Sequence, residues 1–220
     1  MATAVGRYIK SIKERDPAAR NGFQIVLLYS GVHALIHYRI AHFFYKIHFY
    51  FIARMISQLG RFWTGVEIHP GATIGKCLFI DHGMGVVIGE TTEIGDYCTI
   101  YQGVTLGGTG KDTGKRHPTL GNNVMIGAGA RVLGPIKIGD NSKVASGAVV
   151  LSEVPPNTTA VGIPARIVDK KNVKPKTPDM DQIHIPDPVS QELCRMKAHI
   201  HELEKTIARL QESVDKEKKD

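Results

Sequence analysis

The sequence predicts an α+β chain: N-terminal α-helices, then a parallel β-helix built from hexapeptide repeats, then a C-terminal helix. Three observations carry this. Ile68, Ile74, Ile80 and Val86 lie six residues apart; so do Ile88, Ile94, Ile100 and Leu106, and again Leu120, Ile126, Val132, Ile138, Val144 and Val150. A period of six fits neither an α-helix nor an ordinary strand. It is the period of a coil whose short strands each supply one inward side chain before the chain turns a corner. Second, the segment from Phe23 to Phe62 is apolar and aromatic without that period. Third, Leu193, Met196, Ile200, Leu203, Ile207, Leu210 and Val214 alternate spacings of three and four, the stripe of an amphipathic or coiled-coil helix.

In chain order, the expected regions are 1–64 helical, 65–168 β-helix, 169–190 linker and 191–217 helix. Residues 1–22 read as a polar helix broken near Asp16-Pro17 and Asn21-Gly22. Asp16 before Pro17 has the form of an N-cap followed by Pro at the first helical position. Residues 23–60 read as one or two helices ending near Gly60. Only Phe23 to Tyr38 is free of formal charge, short of the roughly 20 residues a membrane span needs. His33 and His37 are four apart on one helix face, but no third ligand accompanies them, so they read as packed side chains.

In the β-helix, three edges make a coil, so residues about eighteen apart stack. Ile68 is expected over Val86, Leu120 over Ile138, and Ile126 over Val144. Glycine follows many inward residues, as at Gly75, Gly89 and Gly121, where a Cβ would crowd the corner. Two interruptions stand out. The phase shifts by two residues between Val86 and Ile88, and Leu106 and Leu120 are fourteen apart rather than six, which inserts eight residues. A repeat fold accommodates such an insertion as an outward loop, and such loops carry function. Its Gly-rich start lacks the spacing and strand–loop–helix setting of a phosphate loop. Residues 169–190, rich in Pro and Lys, read as an extended linker.

The net charge is +7 and the pI about 9.3, which favours an anionic ligand such as a nucleotide or phosphate-bearing cofactor. No nucleic-acid recognition motif accompanies the charge. Three cysteines without metal spacing (Cys77, Cys98 and Cys194) point to a reducing, cytoplasmic compartment. Lys10, Lys13, Glu14, Arg15 and Asp16 interrupt any signal-peptide core.

Ionisable groups cluster at the interruptions: Glu67, His69, Asp81, His82 and Glu90 in the first coils, Arg116 and His117 in the loop. Glu67 and His82 are fifteen apart, which suggests neighbouring rungs of one edge and a hydrogen bond between them. A His held by a carboxylate is a usual general base for an alcohol. The alternative is a set of surface groups on a solvated face.

Val66-Glu67-Ile68-His69-Pro70, Ile80-Asp81-His82-Gly83, Gly89-Glu90-Thr91, Val104 to Gly110, Lys115-Arg116-His117-Pro118 and Gly162-Ile163-Pro164-Ala165-Arg166 together resemble serine O-acetyltransferases. The likeness extends upstream through Arg15-Asp16-Pro17-Ala18 and His33-Ala34-Leu35, and covers roughly residues 14 to 168. The resemblance implies a left-handed β-helix, a homotrimer or dimer of trimers, and active sites between neighbouring subunits. It implies acetyl transfer from acetyl-CoA to L-serine, the first step of cysteine biosynthesis, without a metal. By motif, His82 is the general base and Glu67 its orienting carboxylate. Asp16 and Asp81 hold the serine ammonium, and Arg116 and His117 its carboxylate. Thr109, Ala128, Lys143, Ser146 and Arg166 match the CoA groove. L-cysteine is the expected feedback inhibitor, because it carries the same ammonium and carboxylate.

Three departures qualify the carry-over. Many members have Asp where this chain has Glu67, although a shorter branch uses Glu. The N-terminal helical region is shorter than in long members, where it joins two trimers. Many members end in Ile, which docks into O-acetylserine sulfhydrylase, whereas this chain ends Lys218-Lys219-Asp220. A charged end should not enter an apolar cleft, so C-terminal docking is not expected. Two rivals share the fold. A sugar or nucleotide-sugar acetyltransferase fits Asp16 and the Arg116-His117 pair poorly. A zinc carbonic anhydrase would need His82, His117 and His69 as ligands.

Overall fold

The computed structural model describes residues 3–110, 113–169 and 188–217. They fall in two units, Met1–Ile185 and Pro186–Asp220. The first opens with four helices, α1 (Ala4–Lys13), α2 (Gly22–Leu28), α3 (Ser30–Lys46) and α4 (Tyr50–Thr64).

Asp16 does not cap a helix. Its Oδ1 accepts the Ala18 N–H at 2.8 Å in a turn, and α2 begins later, capped by Asn21 Oδ1 from the Gln24 N–H at 2.8 Å. The apolar segment holds three helices rather than one or two. Tyr29, in extended conformation, ends α2 and starts α3. Gly60 lies inside α4 instead of stopping it: a Cβ there would stand 2.8 Å from the His37 Cβ, so the glycine permits the close approach of α3 and α4. The helix ends at Gly65, whose φ of 71° is the left-handed cap conformation. His33 and His37 each bond a helix carbonyl, that of Val26 and of His33. No described helix is long and apolar enough to cross a membrane.

The coil that follows is a left-handed parallel β-helix of three sheets. One face stacks β1 (Glu67–Ile68), β4 (Val87–Ile88), β7 (Thr105–Gly107), β10 (Arg131–Leu133) and β13 (Val149–Val150). The second stacks β2 (Thr73–Ile74), β5 (Glu93–Ile94), β8 (Thr119–Leu120) and β11 (Lys137–Ile138). The third stacks β3 (Phe79–Ile80), β6 (Thr99–Ile100), β9 (Met125–Ile126), β12 (Lys143–Val144) and β14 (Thr158–Val161). It closes with β15 (Arg166–Asp169), antiparallel to β14. The repeat isoleucines, valines and leucines point inward and form one continuous core.

Register corrects one expected stack. Ile68 pairs with Ile88, not Val86, whereas Leu120 pairs with Ile138 and Ile126 with Val144. The two extra residues sit in the corner between Ile80 and Val87. Val86 is buried as well, two positions before the stacking residue, which made it look like a repeat member. The eight-residue insertion lies in the corner between β7 and β8. Glycines after inward residues serve close contact between coils: a Cβ on Gly95 would stand 2.5 Å from the Gly121 carbonyl oxygen.

The second unit is helix α5 (Pro188–Glu217), whose Leu193, Met196, Ile200, Leu203 and Ile207 are exposed. Most of the expected 169–190 linker, with Lys170, Lys171, Lys174 and Lys176, lies outside the described residues, as does the Lys218-Lys219-Asp220 end.

Candidate active site

The ionisable residues singled out in the sequence form two groups on different corners of the coil. Asp81 and His82 follow β3, at the corner leading to β4. His82 adopts φ 58°, an uncommon left-handed conformation for a non-glycine residue. Its ring is largely exposed, with Nε2 4.0 Å from Asp81 Oδ1. Burial pushes the Asp81 carboxyl above its usual range, and the Asp16 charge adds to the rise while His82 opposes it.

Asp16 reaches this corner from the helical region. Arg15, buried, pins the chain next to it, at the neighbouring corner that leads into β3 and β6. Its guanidinium donates to the carbonyls of Cys77 at 2.7 Å, Cys98 at 3.0 Å and Tyr97 at 3.2 Å, and to Thr99 Oγ1 at 3.1 Å. The Tyr29 hydroxyl then donates to Asp16 Oδ2. Sequence reasoning missed Arg15 and Tyr29 as builders of this corner.

Arg116 and His117 end the inserted loop, at the corner between β7 and β8. Arg116 Nη2 donates to Glu90 Oε2 at 2.7 Å. His117 is buried against Thr91, whose backbone N–H donates to His117 Nδ1 at 3.2 Å. Because Nδ1 accepts, the proton of the neutral ring sits on Nε2, which is therefore a donor. Burial lowers the His117 pKa, and the Arg116 charge lowers it further. Gly89 makes room for the ring: a Cβ there would stand 2.0 Å from His117 Cδ2.

The expected Glu67–His82 bond is not formed within the chain. Glu67 lies on β1 and pairs with Arg54 at 2.9 Å and Arg61 at 3.2 Å, both from α4. The two arginines are seven residues apart, two helical turns on one face, a spacing visible in the sequence. Near them Tyr45, Tyr50, Arg54, His69, Pro70 and Glu90 line a cavity of about 370 Å³. Burial lowers the His69 pKa.

A family profile described as bacterial transferase hexapeptide (six repeats) matches residues 117–152. A Bacillus subtilis (strain 168) serine acetyltransferase is 51% identical over 207 residues, 94% of this chain and 95% of its own. The chain belongs to the serine acetyltransferase family. Two solved members agree. The Neisseria gonorrhoeae serine acetyltransferase in complex with serine matches with TM-score 0.72 and 44% identity over 75% of this chain and 67% of its own. The Brucella abortus enzyme in complex with coenzyme A matches with TM-score 0.74 and 42% identity over 78% and 68%. Membership in this family removes the sugar-acetyltransferase and carbonic anhydrase alternatives. Among the described residues no group of three or more His, Cys, Asp or Glu is placed to hold a metal ion.

In this serine acetyltransferase fold, the residues matched to a CoA groove are spread over several edges. Ala128 and Ser146 lie on the same corner column as His82: Met84, Gln102 and Ala128 each accept, through their carbonyls, an N–H from the next coil, from Gly103, Gly129 and Gly147. With about 4.8 Å per coil, Ala128 and Ser146 stand about 10 and 15 Å along the axis from the His82 level. Lys143 is on β12 and Arg166 opens β15, both in the third sheet. Thr109 lies in the inserted loop, where its N–H bonds the Arg116 carbonyl at 3.3 Å. Cys77 and Cys98 are buried and free, filling repeat positions. Burial pushes the Cys98 thiol up to about 11, which keeps it un-ionised.

Proposed function

We propose a residue-level mechanism for this acyltransferase. The chain transfers the acetyl group of acetyl-CoA to the hydroxyl of L-serine, releasing O-acetyl-L-serine and CoA. In our reading, His82 is the general base, exposed at the tip of its corner. Asp16 and Asp81, two carboxylates at that corner, take the ammonium. Arg116 and the Nε2–H of His117 take the carboxylate, the first as a charged fork and the second as a neutral donor. The spread between ammonium and carboxylate subsites selects a small α-amino acid.

The two halves lie on different corners of one chain. This observation carries the assembly reading: a second copy must supply the opposite corner, so the working unit is a homotrimer or a dimer of trimers. Glu67 is the carboxylate that orients His82 in the assembled site, releasing its arginine pairs to do so.

His82 removes the hydroxyl proton as the serine oxygen attacks the thioester carbon. The new C–O bond gives a tetrahedral oxyanion, which preorganised N–H donors stabilise. Its collapse breaks the C–S bond, and the imidazolium returns the proton to the CoA sulfur. The column from His82 through Ala128 to Ser146 suits an extended pantetheine arm. Thr109 from the loop closes over it, and Lys143 and Arg166 take phosphates. L-cysteine, with the same charged ends as serine, competes for the acceptor subsite. The free, buried thiols of Cys77 and Cys98 support a reducing, cytoplasmic setting.

Thiol release from acetyl-CoA in the presence of L-serine tests the mechanism. Removing the base by His82→Ala should lower kcat by about two to four orders of magnitude. Turnover at the wild-type rate in that variant would end the assignment.

A further inference from the structure

The break between α2 and α3 reaches both halves of the ammonium–base corner. Tyr29 is at once the last cap of α2 and the first of α3, with φ −85° and ψ 112°. This extended residue sends two successive side chains in different directions. The Tyr29 hydroxyl donates to Asp16 Oδ2. The Ser30 hydroxyl donates to the His82 carbonyl at 3.2 Å.

The elbow is held from both sides. The Tyr29 ring packs on the small core of Ile12, Ile25, Val32 and Phe79. Gly31, which follows Ser30, lies so close to β3 that a Cβ would stand 2.3 Å from the Ile80 carbonyl oxygen. Ile80 immediately precedes Asp81 and His82, so the start of α3 is seated on the strand that presents the base.

We propose that Tyr29 and Ser30 are positioning residues of the acceptor site: Tyr29 sets the carboxylate of Asp16 for the substrate ammonium, and Ser30 sets the corner that carries His82. This rests on the roles given above to Asp16 and His82. Asp16 Oδ1 is occupied by the Ala18 N–H and Oδ2 by the phenol, which fixes the carboxylate plane and leaves the remaining lone pairs for an ammonium. Burial and the bond to Asp16 raise the Tyr29 phenol to about 12, so it stays a donor throughout the neutral range. Ser30 tethers the backbone of a residue in a left-handed conformation, at a carbonyl that also accepts the Met84 N–H at 2.9 Å, so the side chain ties α3 to the turn that presents the base.

The two side chains should separate kinetically. Tyr29→Phe keeps the ring in its core and removes only the hydroxyl. It should raise the KM for L-serine about tenfold, weaken serine binding by calorimetry to match, and leave kcat and the acetyl-CoA KM within about twofold. Ser30→Ala should lower kcat about fivefold to tenfold with serine KM little changed, and Ser30→Thr, which keeps a hydroxyl, should restore it. Thermal unfolding midpoints serve as the control for folding. Wild-type constants in Tyr29→Phe and Ser30→Ala, beside an inactive His82→Ala, would overturn the elbow and leave the mechanism standing. Full activity in His82→Ala would overturn both.

Discussion

The coils before and after Pro118 are built from the same repeat but do different things. From Thr119 to Val150 the stacking is regular at eighteen residues, as in Leu120 on Ile138 and Ile126 on Val144. From Glu67 to Pro118 it is interrupted twice, with Ile68 on Ile88 and Ile94 on Leu120. Each interruption carries one half of the proposed acceptor site: the short one carries Asp81 and His82, the long one Arg116 and His117. Both kinds of corner hydrogen-bond to the neighbouring coil, as Gly103 does to Met84 and Gly147 to Ala128; the extra residues add length at the corners that present His82 and His117.

Mutations should therefore separate by region. The largest stability change should come from the regular coils. Ile138 is fully buried, stacks on Leu120 and bridges to Val154. Ile138→Ala should destabilise the protein by about 2–5 kcal/mol through lost burial and a cavity. Denaturant unfolding would read this. Serine and acetyl-CoA KM of the remaining folded enzyme should stay near wild type. A large change in serine KM from this distant residue would break the division.

The converse variant lies in the interrupted coils. Gly89 has no left-handed φ, so alanine is allowed by its backbone, but its Cβ would meet the His117 ring. Gly89→Ala should push the ring from its seat and raise serine KM by about tenfold to a hundredfold, the weight of a charge-assisted hydrogen bond. The unfolding midpoint should change little. Unaltered serine KM would remove His117 from the carboxylate subsite.

The same division explains what could be read in advance. The inward residues were legible because a repeat has one period and each member fills an equivalent place. The stack of Ile68 was misread because Val86 is buried too, and only backbone register tells which one pairs. The corner holding Asp16 was misread because a local Asp-Pro signal suggests a helix cap, whereas Arg15, bound to residues more than sixty positions away, sets the turn. The third helix in the apolar segment left no mark, because neither Tyr29 nor His48, which takes φ 65°, is a standard breaker. Coil spacing and the family motif both point Glu67 toward His82; within the chain it pairs with the arginines of α4, which lie outside the repeat and carry no sign of it in the repeat's period.

The smallest expected effect is a pH response confined to the interrupted coils. His117 titrates below its usual range because it is buried and beside Arg116, with Lys115 adding to the effect and Glu90 opposing it. Its folded pKa is thus lower than the unfolded value near 6.5. Between the two, the unfolded chain binds the proton and the folded chain does not, so stability rises with pH through that window. The contribution is fully present above about pH 6.5 and is lost as pH falls through the lowered value. The bond from the Thr91 N–H to Nδ1 gives the same direction, since protonating Nδ1 would set two donors against each other. His117→Gln removes the titration and leaves His69 and Asp81 in place. The difference in unfolding free energy between wild type and His117→Gln should be flat above about pH 6.5 and shift against wild type on acidification below it. A difference that grows in favour of wild type as pH falls would mean that the buried ring prefers its proton, and that His117 meets the substrate carboxylate as a cation.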